Sequence, residues 1–258
     1  MKVVLFCGGM GMRIRETADS LTPKPLVTVG PRPILWNLMK FYAHYGHRDF
    51  ILCLGHGAEA IKGYFLNYDE RLSNDFVLRK GGADVELLAR DIDDWTITFV
   101  DTGLRANIGM RLRAVRSHLE GEEAFFANYA DGLSDLPLDR YLADFRSHGK
   151  IAQMLSVPAP QTVHMINADK NGLVQGIEHV SHSELRMNAG FFLFKREVFD
   201  YVGEGEELVE QPFQRLIQER QLVAYPHDGF WMAMDTFKDK MQFESLVAAG
   251  NTPWQVWR

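Results

Sequence analysis

Cysteine is scarce in this chain. Only Cys7 and Cys53 occur among 258 residues, each inside an apolar run. Two buried core thiols are a better reading of that pattern than a disulfide or a metal site, and a cytoplasmic setting follows. An excess of basic charge is also missing: 28 Lys and Arg face 34 Asp and Glu, for a net charge of −6. The basic residues are scattered, the densest cluster being Arg111 to Arg116, so no nucleic-acid-binding face is expected. No apolar run reaches membrane-spanning length, and Met1 leads straight into a strand pattern, so neither a membrane span nor a leader is expected. No Gly-x-Ser-x-Gly elbow appears. His44 and His47, or His179 and His182, are three apart, but neither pair has a third ligand nearby and both read as surface or packing histidines. Internal repeats and low-complexity linkers are absent.

What is present is an α/β pattern. Lys2 to Phe6 reads as a buried parallel strand ended by Gly8-Gly9. Pro33 to Tyr45 spaces Ile34, Leu35, Leu38, Met39 and Tyr42 on one helical side, and Gly46 ends it. Phe50 to Leu54 repeats the strand signal and Ala58 to Asn67 the helix signal. Strand–helix–strand–helix at this density predicts a doubly wound, mostly parallel sheet with helices on both faces. Further strands are expected at Trp95–Val100, Ala124–Tyr129, Ile151–Val157, Gly172–Ile177, Ala189–Phe194 and up to Tyr225. Helices are expected at Ile108–Leu119, Leu138–His148, Glu210–Gln218 and Lys238–Ala249. The stretch Thr22-Pro23-Lys24-Pro25 reads as a turn that cannot be helical. The reading is one domain over 1–258, with 196–258 as a C-terminal extension.

Three features carry chemistry. The loop Cys7-Gly8-Gly9-Met10-Gly11-Met12-Arg13 follows the first strand; glycines let backbone N–H groups approach a phosphate, and Arg13 adds a two-pronged donor. The loop lacks the Lys-Ser/Thr ending of a Walker loop and the third glycine of a dinucleotide fingerprint, so a tight strand-to-helix turn is its plain rival. Pro23-Lys24-Pro25 fixes the backbone on either side of a lysine suited to holding negative charge. Asp131 stands at the carboxyl end of the Phe125–Tyr129 strand, where ligands bind in open α/β sheets, and suits a divalent cation bridging phosphates. Asp235 is the second candidate, with helix capping before Lys238 as its rival role.

Together these motifs resemble the sugar-1-phosphate nucleotidyltransferase family. The resemblance runs nearly end to end. It rests on the glycine loop at 7–13, Pro-Lys-Pro-Leu at 23–26, Pro-Ile-Leu-Trp at 33–36, Val-Asp-Thr-Gly at 100–103, and Arg111-Leu112. Asp-Gly at 131–132, Asn188-Ala-Gly-Phe-Phe192, Gly-Phe-Trp at 229–231 and Met-Asp-Thr at 234–236 continue it. It implies a Rossmann-like, GT-A-like fold and transfer of a nucleotidyl group, with CTP the first expectation, to a sugar 1-phosphate. Mg2+ (or Mn2+) would sit on Asp131 and Asp235, and Arg13 and Lys24 would neutralise building charge. Gly8, Gly9 and Gly11 would line the nucleotide and Arg111 would reach the base or phosphates. Glu178 and Asn188 would face the sugar. A homo-oligomer is also implied; the aromatic tail Trp254 to Trp257 would cover a neighbouring subunit or pack on its own domain.

The chain departs from the family in the stretch Gln161 to Ile166, which lacks the usual glycine-containing sugar loop, and at two places that bear on the phosphates. Met12 stands where a threonine is usual, and Glu178-His179-Val180 replaces a Glu-Lys-Pro whose lysine grips the sugar phosphate. Both losses weaken the hold on separate reactants. They leave open an alternative, a metal-dependent mutase that interconverts pyranose and furanose rings of a preformed nucleoside-diphosphate sugar such as a GDP-sugar.

Overall fold

The computed structural model describes residues 1–9, 22–159, 164–180 and 185–258. A seven-stranded sheet is built from β1 (Val3–Phe6), β2 (Asp49–Leu54), β3 (Thr96–Asp101), β4 (Ala124–Tyr129), β5 (Ala152–Pro158), β6 (Arg186–Lys195) and β7 (Leu222–Pro226), in the order β7-β5-β6-β4-β1-β2-β3. Strands β4, β1, β2 and β3 run parallel, β5 and β7 are parallel to each other, and β6 runs against both of its neighbours. The expected mostly parallel, doubly wound sheet is present.

Strand periodicity explains why both faces are covered. In β1, Val3 and Leu5 join one buried cluster while Val4 and Phe6 join the other. Strand β2 repeats this: Phe50, Leu52 and Leu54 face one way, Ile51 and Cys53 the other. A strand apolar on both sides must be sandwiched. Helices α1 (Ile34–His44) and α4 (Leu138–His148) cover the first face. Helices α3 (Ile108–Ala114) and α5 (Gln211–Gln218) cover the second, and α2 (Ala58–Leu66) and α6 (Phe237–Ala248) complete the set.

Helix α1 departs from the expected single apolar side, because Trp36 and Asn37 are buried as well. Trp36 packs against Trp95 as well as the tail, and Asn37 donates to the Pro33 carbonyl at 3.0 Å. Trp257 meets Trp36 edge-on at 6.3 Å, and Trp254 is buried against Phe230 and Phe243. The C-terminal aromatics therefore pack on their own domain. The segment after residue 195 supplies β7 to the main sheet and the strand Trp231–Ala233, which pairs antiparallel with Gly132–Ser134. The proline-rich turn is also corrected: Lys24–Leu26 forms one turn of 3-10 helix. Proline fits there because the first N–H groups of a helix have no internal partner to lose. Among the described residues no helix is long and apolar enough to cross a membrane.

Candidate active site

The parallel strands deliver their carboxyl ends to one side of the sheet, where a cavity of about 610 Å³ opens. Its wall includes Cys7 and Gly9 after β1, Lys24 from the 3-10 turn, Tyr129 and Asp131 at the end of β4, and Asp235. This is where an open α/β sheet binds ligands.

Asp131 and Asp235 meet through the short ribbon of Gly132–Ser134 and Trp231–Ala233. Gly132 pairs with Ala233, and the Met234 amide donates to the Asp131 carbonyl at 2.8 Å, so the residues just beyond the ribbon lie together. Gly132 leaves the close space that the Trp231 indole crosses, its Nε1 donating to the Ala189 carbonyl. The rival capping role for Asp235 is taken by Thr236. The Thr236 hydroxyl caps α6, and Asp239 returns the bond in a capping box. Asp239 also accepts from the Asp235 amide at 3.0 Å, holding that backbone while the Asp235 carboxylate turns to the cavity.

There Lys24 Nζ donates to Asp131 Oδ2 at 2.6 Å and to Asp235 Oδ1 at 2.7 Å. The lysine side chain is 13% exposed, against 30% and 39% for the two acids. Burial alone would push the Lys24 ammonium down, but the two carboxylates beside it more than offset that, and its pKa is raised. Two carboxylates therefore converge on one point of positive charge. Mg2+ is commonly held by one or two carboxylates with phosphates and water completing its shell, so the donor set suits it. Among the described residues no group of three or more His, Cys, Asp or Glu converges, so substrate oxygens would have to supply the rest.

The other expected residues fall into three groups. Gly11 and Arg13 lie outside the described residues, as does Met12. Gly8 is buried and Gly9 exposed at the cavity. Arg111 lines the cavity, and its guanidinium donates to the Gly8 and Leu54 carbonyls at 2.9 and 3.0 Å and to the Thr102 hydroxyl at 2.7 Å. It is 3% exposed and ties the ends of three strands together. A Cβ on Gly8 would stand 2.1 Å from Arg111 Nη1, so that glycine makes room for the guanidinium as much as for a phosphate.

Glu178, His179 and Asn188 do not line the cavity. Glu178 and His179 are consecutive on the strand Val174–His179, so their side chains leave opposite faces of its ribbon with His164–Ala168. The His179 ring meets that of His164 edge-on at 5.2 Å. Asn188 stands one step behind the wall, its side chain near the Tyr129 hydroxyl, and its Oδ1 accepts from the Gly190 amide at 2.9 Å. Gly190 adopts φ +75° and gives the Tyr129 ring space that a Cβ would fill.

Tyr129, Asn107 and Glu207 line the cavity without having been singled out in the sequence. Asn107 had a readable signal, since its side chain caps α3 by accepting from the Met110 amide at 2.9 Å. Glu207 had none. It arrives from 99 residues away to accept from the Ile108 amide at 3.3 Å.

No family model matches the chain. It is 34% identical over 258 residues to the glucose-1-phosphate cytidylyltransferase of Salmonella typhi, covering all of both chains. It is 32% identical over 259 residues to the probable glucose-1-phosphate cytidylyltransferase of Bacillus subtilis, again end to end. Among solved structures, UTP-bound UGPase from Acinetobacter baumannii superposes with a TM-score of 0.69 at 17% identity, over 96% of this chain and 93% of that one.

Proposed function

Because the chain belongs to the sugar-1-phosphate nucleotidyltransferase family, we propose that it transfers a cytidylyl group from CTP to glucose 1-phosphate, using a divalent cation on Asp131 and Asp235. The single observation that carries this is the convergence of Lys24, Asp131 and Asp235 at the carboxyl edge of the parallel strands. A phosphate oxygen of the sugar 1-phosphate attacks the α-phosphorus. A new P–O bond forms in line as the bond to the β-phosphate breaks, and pyrophosphate leaves with that electron pair. Little covalent work falls to the protein; positioning and charge neutralisation carry the rate.

Asp131 and Asp235 would hold Mg2+, which would supply Lewis-acid neutralisation of the charge that builds on the leaving group. Lys24 brings an ammonium to the same cluster from a backbone held between two prolines. The Gly8-Gly9 turn offers a backbone that approaches phosphate closely, with Arg13 assigned to the triphosphate. Tyr129, its ring set into the space that Gly190 leaves, gives the cavity an aromatic wall. CTP and glucose 1-phosphate are taken from the names of the two end-to-end relatives. The reading includes a homo-oligomer and a cytoplasmic setting, in keeping with two free buried cysteines.

The competing mutase reading rests on Met12 and His179. Met12 lies outside the described residues, and His179 meets His164 on the ribbon, so neither adds an observation in its favour.

Incubation with each of four nucleoside triphosphates, Mg2+ and glucose 1-phosphate should release pyrophosphate fastest with CTP. Asp131→Asn should lower kcat/KM by about 10²–10³ without unfolding the protein. No release from any pair, together with isomerisation of a GDP-sugar followed by chromatography, would replace transfer with the mutase.

A further inference from the structure

We propose that Lys24 is the resting counter-ion of the Asp131–Asp235 pair, holding the place that a divalent cation takes only when a triphosphate arrives to receive the lysine. This rests on the reading that the two acids hold the cation.

The ammonium sits 2.6 and 2.7 Å from one oxygen of each acid. A Mg2+ ion held by both acids would take carboxylate oxygens at about 2.0–2.1 Å and draw on the same negative charge. At equal distance a divalent ion repels the ammonium twice as strongly as one carboxylate attracts it, so its arrival cancels the hold of both acids on Lys24. Entry of the metal therefore means exit of the lysine head. The backbone does not have to move: Pro23 and Pro25 bracket Lys24 and its turn is closed by the Leu26 and Val27 amides. The four-carbon stem is the movable part, and it lines the same cavity as Gly9.

Leaving costs Lys24 two charge-assisted hydrogen bonds, so the lysine needs an anion at its destination. A bare metal ion brings none. A triphosphate brings oxygens for the ammonium and for the metal together. Metal and triphosphate are thereby coupled, each raising the affinity of the other by the same factor. The lysine also keeps the two acids gathered before substrate arrives, lowering the mutual repulsion of two adjacent carboxylates.

Mn2+ is titrated against the full chain, with bound ion read by electron paramagnetic resonance and water-proton relaxation, both independent of turnover. The wild type is titrated alone, with CTP, and with inorganic tripolyphosphate. Lys24→Met, Lys24→Gln and Asp131→Asn are titrated alone. Wild type alone should bind weakly, and either triphosphate should tighten protein-bound Mn2+ by about tenfold or more. Lys24→Met alone should gain a similar factor, with Lys24→Gln as the check should Met disturb folding. Equal Mn2+ affinity of the wild type with and without triphosphate, or of both Lys24 variants and the wild type, overturns the exchange while the metal site stands. Binding that Asp131→Asn leaves unchanged removes the metal site itself, and the exchange with it.

Discussion

Arg111 lines the cavity, and its buried guanidinium donates to Gly8, Leu54 and Thr102. Removing it takes a charged donor from the Gly8 and Leu54 carbonyls, which keep the His56 and Thr102 amides, so Arg111→Met should cost about 1–2 kcal/mol of stability in urea unfolding. Gly8→Ala drives a methyl into the same guanidinium. The two changes should therefore couple: Gly8→Ala is milder in the Arg111→Met background, by about 1 kcal/mol or more in a double-mutant cycle. Additive effects would separate the glycine from the arginine. His47 gives a pH test. Burial, with the N-terminal ammonium and Arg146 adding to it, holds this histidine down from 6.5 to about 4. Between those values the unfolded chain binds a proton that the native state refuses. Stability is thus complete above about pH 6.5 and falls as pH drops toward 4. His47→Asn should flatten that slope in urea midpoints measured from pH 7.5 to 4.5. Lys24, Asp131 and Asp235 stand out in the sequence because their types and neighbours declare charge chemistry, and the fold brings their side chains together. The carbonyl contacts of Arg111 were not legible, because an arginine beside a glycine loop reads the same whether it faces a phosphate or a carbonyl.

Elements with a strong period were legible almost to the residue, as with α4 at Leu138–His148 and β4 at Ala124–Tyr129. Helix α3 was shorter than its pattern, ending at Ala114 before a 3-10 turn at Arg116–Leu119. The short ribbon joining Asp131 to Asp235 left no trace, since three-residue strands carry too little periodicity to read. Its far end is held by the capping box of α6, and that link can be tested. Thr236→Ala removes the cap and should cost about 1 kcal/mol. Because Asp239 also holds the Asp235 amide, loosening the cap should raise the Mg2+ concentration needed for half-maximal pyrophosphate release. Thr236→Ser, which keeps the hydroxyl, should restore both. Lost stability with unchanged metal dependence would confine the cap to folding.

At the scale of the whole molecule, the apolar surface is unevenly spread. The ribbon of His164–Ala168 and Val174–His179 pairs Ile166 with Ile177 across its strands, at 64% and 63% exposure. Leu173 at its turn is exposed too. A β-ribbon with an outward isoleucine pair and unsatisfied edges is costly in isolation and is a common site for a second copy to dock. The C-terminal aromatics do not serve that purpose, since Trp254 and Trp257 close over their own domain. If a homo-oligomer forms, the ribbon is where it should be sensitive. Sedimentation equilibrium should give a mass that is a multiple of 29.5 kDa. The double variant Ile166→Lys, Ile177→Lys should shift it toward the single chain by placing like charges directly opposite each other on both copies. Unfolding midpoints would then depend on protein concentration in the wild type and lose that dependence in the variant. A wild type that sediments as a single chain, with unfolding independent of concentration, would leave the exposed ribbon without a partner of its own kind and remove the homo-oligomer from the reading.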